Sequence, residues 1–135
     1  MTTLKEAINK SADIIKAARL IELSEAAKIS EKIQVEIDIS KKKAIEESDK
    51  ILQQAIERLN NGVGVVGGGY VLYTSDVNPH EDFADRDILK NLTPFVCRYL
   101  MEYLDSENIN YTILDDDDLP GYYNLILFIE PYENN

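Results

Sequence analysis

The chain has 135 residues, of which 44% are apolar, and a formal net charge of −11. This composition excludes wholesale disorder, and no run reaches the roughly 18 apolar residues that cross a bilayer. The length predicts one domain, residues 1–135. The only cysteine, Cys97, cannot form an internal disulfide, which predicts the reducing cytoplasm.

The charges divide the chain into two subregions. Residues 1–61 carry 11 basic and 11 acidic side chains, whereas residues 62–135 carry 3 basic and 14 acidic ones. All eight Tyr and all three Phe also follow residue 61. We therefore predict a helical, charge-neutral subregion (residues 1–61) and an acidic, Tyr-rich β-α-β-β subregion (residues 62–135). The second would repel phosphates, which argues against direct binding of nucleic acid or of an anionic membrane.

The first subregion contains neither Gly nor Pro and is rich in helix-forming residues. We predict helices over residues 3–28 and 41–60. Thr3 and Glu6 form a capping box at the start of the first helix, and Ser40 is a suitable N-cap for the second. Asn60-Asn61-Gly62 is a typical helix stop.

The segment between these helices, residues 33–39, is ambiguous. Its strict alternation of β-branched residues favours a strand, while the alternative is one unbroken helix over residues 3–60. That helix would have a coiled-coil-like seam, through which a homodimer could form. The seam would contain Leu4, Ile8, Ile15, Ala26, Ile29, Ile33, Ile37, Ala44, Ile51, Ala55 and Leu59.

The second subregion begins with glycines. Gly67, Gly68 and Gly69 predict a bend, a bulge or a flexible joint before a strand at residues 70–74. Further on, Asp85 is a candidate cap for a short turn through Leu89. Thr93 and Pro94 then resemble the N-cap and first residue of a helix over residues 94–106.

The last elements are two strands joined by an acidic turn. Residues 109–113 alternate apolar and polar side chains, which is typical of a half-buried strand. Residues 123–129 are apolar at almost every position, which predicts a strand covered on both faces. The whole sequence thus predicts an α+β fold, in which the N-terminal helices precede a small, mostly antiparallel sheet of three or four strands, covered by the helix at 94–106.

No set of residues points to catalysis or to a cofactor. Asp115–Asp118 lack the spacers and glycine of a calcium loop, and His80 has no second His or Cys at ligand spacing. Cys97 lies on the core-facing side of its helix. Because no nucleophile, base and orienting group can be assembled, we predict neither metal nor cofactor, and a protein that is not an enzyme.

The acidic turn instead predicts a partner. Adjacent carboxylates beside exposed tyrosines suit recognition of a basic protein surface, such as that of a nucleic-acid-binding protein. We therefore expect an inhibitor or regulator that binds protein, with two alternatives. One is a small-molecule or nucleotide-signal binder that uses Gly67–Tyr70 at a subunit interface, and the other is a structural oligomer. The predicted partner-binding residues are Asp115, Asp116, Asp117, Asp118, Tyr122, Tyr123, Glu81 and Asp82.

Overall fold

The computed structural model describes residues 3–129 and has an α+β architecture, as expected. Two α-helices, α1 (Leu4–Asn60) and α2 (Thr93–Ser106), accompany one antiparallel sheet in this part of the chain. Its strands, β1 (Val65–Val66), β2 (Gly69–Ser75), β3 (Tyr111–Asp115) and β4 (Tyr123–Phe128), lie in the order β1-β2-β4-β3. A short 3-10 helix, Asp85–Leu89, precedes α2.

The expected break in the N-terminal helix was wrong, because α1 continues without interruption through residues 33–39. Ile37 is only 5% exposed, whereas Val35 and Ile39 are 56% and 52% exposed. In a helix Val35 and Ile39, four residues apart, lie on one side and Ile37 lies nearly opposite, so the alternation of the three in sequence does not describe one face. The weak strand preference of β-branched residues is overridden by cooperative helix growth from both flanks.

The structure confirms some of the helix-end signals predicted in residues 1–62 and contradicts others. The Glu6 N–H donates to Thr3 Oγ1 at 3.3 Å, which is half of the expected capping box. Ser40 is not an N-cap, because it lies inside the continuous helix. At the other end α1 stops at Asn60, and Gly62 follows in the left-handed region with φ of 67°. The predicted stop is therefore confirmed.

The structure divides into two compact units between Glu36 and Ile37, and α1 contributes to both. In the first unit every described residue except Ile33, which is intermediate, is exposed. The core belongs to the second unit. It buries apolar side chains of α1, the 3-10 helix, β2, α2 and β4: Ile37, Ala44, Ala55, Tyr70, Leu72, Ile88, Phe95, Val96, Cys97, Leu100, Leu104, Leu125 and Leu127.

The glycine cluster forms a tight hairpin that joins β1 to β2. Val66 pairs with Gly69, and the two intervening glycines, Gly67 and Gly68, have φ of 58° and 77°. Two consecutive positive φ values are the requirement of a type I′ turn. The predicted bend is confirmed, whereas the sequence did not show β1. A register shift between Val71 and Tyr73 adds a bulge to β2, in which Leu72 is the unpaired extra residue and is buried like Tyr70.

Two further caps differ from expectation. The Thr93 N–H donates to Asn91 Oδ1 at 3.0 Å, and Leu92 occupies the N-cap position of α2, so Thr93 is not the cap. At the 3-10 helix, the Ala84 N–H donates to Asp87 Oδ2 at 2.9 Å. Asp85 instead accepts a hydrogen bond from Lys41 Nζ at 2.8 Å. This ion pair ties α1 to the 3-10 helix within the second unit.

Strand β4 is central in the sheet, but the expectation that both its faces are covered was wrong. Leu125 and Leu127 are buried on one face, together with Tyr70 of β2 and the apolar side of α2. On the opposite, outer face, Val71 of β2, Leu114 of β3 and Phe128 of β4 are 48%, 54% and 52% exposed. The near-continuous apolar run of β4 concealed this difference, because Phe128 resembles a core residue in sequence.

Candidate protein-binding face

The acidic turn and the loop after β2 leave the sheet at the same end. Tyr123, the first residue of β4, pairs with Ser75 on one side and with Asp115 on the other. Residues 76–84 continue directly from Ser75, and residues 116–122 connect Asp115 to Tyr123. The predicted carboxylates of the turn therefore lie close to the start of the loop that contains Glu81 and Asp82, at this end of the sheet. Glu81 and Asp82 are both exposed.

Asp116 differs from the other three aspartates because it organises the turn. Its Oδ1 accepts the backbone N–H groups of Asp118 at 2.9 Å and Leu119 at 3.2 Å. Its Oδ2 accepts the side-chain amide of Asn124 at 3.2 Å. The backbone N–H of Asp116 also donates to the carbonyl of Tyr122 at 2.9 Å, which closes the turn.

These hydrogen bonds favour the ionised form of Asp116. The N–H of Asp118 contributes most, followed by the Asn124 amide, and together with the N–H of Leu119 they lower the pKa of the carboxyl despite some opposing desolvation. Asp115, Asp117 and Asp118 are exposed. The turn therefore consists of one structural carboxylate and three that face solvent.

The two tyrosines predicted beside the turn are not equivalent. Tyr122 is 41% exposed, whereas Tyr123 is half-buried in the sheet. Tyrosines elsewhere serve the fold. The hydroxyl of Tyr111 donates to Asp105 at 2.9 Å, and its pKa is raised to about 12, first by burial and then by this carboxylate. Burial also raises the pKa of Tyr73. Tyr122 is thus the predicted tyrosine best placed to contact a partner.

Of the exposed apolar side chains on the outer sheet face, Leu114 directly precedes Asp115 of the turn, whereas Phe128 lies at the other end of β4. The side chain of Asn124, which accepts a hydrogen bond from Thr74 Oγ1 at 2.8 Å, links this face to Asp116. We call Val71, Leu114 and Phe128 together with the exposed turn residues Asp115, Asp117, Asp118 and Tyr122 the acidic face. This face takes in both sides of the sheet at the turn, because Asp115 pairs with Tyr123 and follows the side of Leu125, whereas Leu114 lies on the outer side. Sequence analysis missed its apolar part, and only the strand register, which places these residues opposite the buried ones, could have revealed it.

No basic residue occurs in the segments that build this face. Residues 62–85 and 99–135 contain neither Lys nor Arg. Of the three basic residues in the second subregion, Arg98 lies over the rings of Phe83 and Phe95, at 4.8 and 5.4 Å from their centroids. Arg86 and Lys90 lie at the 3-10 helix. The negative charge of the turn is therefore not neutralised by a cation from the same strands.

The glycine hairpin has a neighbour that sequence analysis missed. The guanidinium of Arg58, near the end of α1, lies 5.9 Å from the centroid of the Tyr70 ring. Tyr70 is buried, so its ring is in use within the core and its face is not offered to solvent. Gly69 is packed closely, since an added Cβ would lie 3.0 Å from Ile126 Cγ2. Packing and turn geometry account for the conformations of these residues.

His80 and Cys97 are the other chemically distinctive residues. His80 is exposed, and its backbone N–H donates to Asn78 Oδ1 at 3.0 Å. Cys97 is buried in α2, and burial raises the pKa of its thiol to about 12. Over residues 3–129, no three His, Cys, Asp or Glu side chains are arranged to hold a metal ion, and no helix has the length and apolarity needed to span a membrane.

Comparison of the chain with models of protein families found no match, and comparisons with curated proteins and with solved structures also found none.

Proposed function

We propose that this protein is a non-enzymatic inhibitor or regulator that binds a basic surface of another protein through its acidic face. The observation that carries the proposal is the composition of that face: three solvent-facing carboxylates, an exposed tyrosine and three exposed apolar side chains, with no cation in the strands that build it. Protein interfaces commonly combine an apolar centre with a polar rim, and tyrosine is enriched in them.

Charge selects the class of partner. A surface with several carboxylates and no nearby cation attracts a cluster of Lys and Arg, and it speeds encounter when salt is low. Proteins that bind nucleic acid carry such clusters, because they neutralise phosphates. The protein would then occupy the place of the nucleic acid, in the cytoplasm. Phage-encoded inhibitors of defence nucleases and immunity proteins that neutralise toxins are examples of this type of action.

The test compares two variants that change the net charge equally. Asp117→Lys with Asp118→Lys reverses two free carboxylates of the acidic face. Asp13→Lys with Glu31→Lys reverses two exposed carboxylates of the first unit. Proteins captured from native lysate by the immobilised wild type, at low and at high salt, are identified by mass spectrometry and then purified for titration.

We expect a partner with a basic surface that high salt releases and that double-stranded DNA or heparin displaces. Its affinity should fall at least about tenfold with the acidic-face variant, the usual scale for losing one or two well-placed charges. The first-unit variant should bind as the wild type does. Equal loss with both variants, or unchanged binding with the acidic-face variant, would overturn the proposal.

The apolar part of the face has its own test. Leu114→Thr removes an exposed leucine and keeps a residue that favours strands. If Leu114 lies in the centre of the interface, the affinity for the same partner should fall while the salt dependence of binding stays the same. Retention of full affinity would restrict the interface to the acidic turn.

A further inference from the structure

We infer that the first unit of the protein pairs with the same segment of a second copy, which makes the protein a homodimer. The segment is residues 4–36 of α1, here called the arm, and the inference does not rest on the proposed function. Every residue of the arm except Ile33 is exposed, including nine large apolar side chains that are 53% to 79% exposed. They are Leu4, Ile8, Ile14, Ile15, Leu20, Ile21, Leu23, Ile29 and Val35.

A helix so exposed needs packing from outside its own chain segment. Helices in proteins draw most of their stability from burial of an amphipathic face, and isoleucine is a weaker helix former than alanine or leucine. The part of this surface along Leu4, Ile8 and Ile15 is contiguous, and contiguous exposed apolar surface marks an interaction site. An open surface along the arm is lined by Leu4, Ala7, Ile8, Ser11, Ala12 and Ile15.

The spacing of small and apolar residues along the arm is that of helix pairing. Steps of three, four and four residues connect one stripe, whose members are Leu4, Ala7, Ser11, Ile15, Ala18, Glu22, Ala26 and Ile29. This spacing gives an 11-residue repeat of about 3.67 residues per turn, which keeps one stripe facing a partner helix. In the second unit the same repeat passes through Ile37, Ala44, Ser48 and Ala55, which are the buried residues of α1. The chain thus uses this pattern for burial.

The charge of the arm distinguishes between the kinds of partner that could bind the stripe. Residues 3–36 carry six basic and six acidic side chains and no aromatic residue. An amphipathic helix that binds membranes is usually rich in Lys and Arg on its polar face and has Trp or Phe on the other. A balanced helix likewise has no net attraction for nucleic acid or for a strongly charged protein. A second copy of the arm meets no net repulsion and brings an identical stripe.

The apolar area is sufficient for a stable dimer. Five large side chains, Leu4, Ile8, Ile14, Ile15 and Ile29, lie on the stripe or along its edges. At about 25 cal/mol per Å², burial that contributes about 1.5–3 kcal/mol corresponds to about 60–120 Å² for each side chain. Two copies would then bury on the order of 1,000 Å², which is close to the lower limit of specific interfaces.

Sedimentation equilibrium of the full chain over a range of concentrations tests the inference. The wild type should be dimeric, and Ile15→Asp should weaken the dimer at least tenfold, because it places a charge in the stripe. Leu20→Asp is the matched control: it is the same kind of substitution at an exposed site about 140° around the helix. It should leave the dimer unchanged.

A second variant should act in the opposite direction and cannot be explained by unfolding. Glu22 is the only charged member of the stripe, so Glu22→Leu should tighten the dimer. Near-UV circular dichroism follows the second unit in every variant, because all the aromatic residues lie after residue 61. A monomeric wild type, equal effects of the two aspartate substitutions, or a weaker dimer with Glu22→Leu would overturn the inference.

Discussion

Asp116 and Asp117 are neighbours with different functions. Asp116 accepts three hydrogen bonds that hold the turn, while Asp117 is exposed. We expect Asp116→Ala to lower the urea midpoint of unfolding, because two backbone N–H groups and one amide lose their acceptor. Asp117→Ala is the control and should leave the midpoint nearly unchanged. Equal midpoints for the two variants would contradict the structural role of Asp116.

The stabilisation by Asp116 should depend on pH in one direction. Its pKa in the folded protein lies below the ordinary value of 3.8, so the unfolded chain takes up the proton first as the pH falls. The contribution is therefore complete above that ordinary value and is lost as the pH falls through the lower folded-state pKa. Urea midpoints of the wild type and Asp116→Ala should converge over this acidic range. A gap that stays constant there would assign the effect to packing.

Cys97 offers a direct reporter of core opening. Its side chain is 1% exposed, and burial raises the pKa of the thiol to about 12. Only the thiolate reacts with disulfide reagents, so at pH 8 the folded protein should react far more slowly than the unfolded chain in urea. Absorbance of the released chromophore measures both rates. Rapid reaction of the folded protein would show that α2 opens readily.

At the scale of elements, the side chains of residues 33–39 can test whether this segment is a helix or the strand that its alternation favours. Ile37 is buried, but Val35 is exposed. We expect Ile37→Ala to lower the free energy of unfolding by about 2–5 kcal/mol, as for other buried isoleucines. Val35→Ala should change it by less than about 0.5 kcal/mol, as at most surface sites. Chemical denaturation followed by tyrosine fluorescence measures both, and similar losses would favour one shared strand face.

The sequence predicted the positions of helix ends and strands better than it predicted the contacts of their side chains. The stop at Asn60-Asn61-Gly62 and the strands around the acidic turn depend on local chemistry, which neighbouring residues determine. The cap by Ser40 was wrong because α1 does not begin there, and the caps by Thr93 and Asp85 were wrong because other acceptors, Asn91 and Asp87, and a distant cation, Lys41, take part instead. The outer face with Leu114 and Phe128 depends on strand register, which no local pattern contains.

At the scale of the whole molecule, the excess of acidic residues after residue 61 should make the second unit sensitive to salt. Within residues 62–129, twelve acidic and three basic side chains repel one another on balance, and folding brings them closer. Between about 10 and 150 mM NaCl the screening length falls from about 30 to about 8 Å. We therefore expect the thermal midpoint, followed by near-UV circular dichroism of the tyrosines, to rise with salt.

Neutralising part of this charge should raise the thermal midpoint at low salt, as added salt does. Asp117→Asn with Asp118→Asn should raise the midpoint at low salt and have little effect at high salt, because the repulsion is then already screened. Asp13→Asn with Glu31→Gln removes the same charge from the balanced arm and should raise it less. MgCl₂ and NaCl at equal ionic strength should act alike if screening is the cause. A much larger effect of Mg²⁺ would instead indicate that the turn binds cations, and the acidic face would then carry less charge toward a partner.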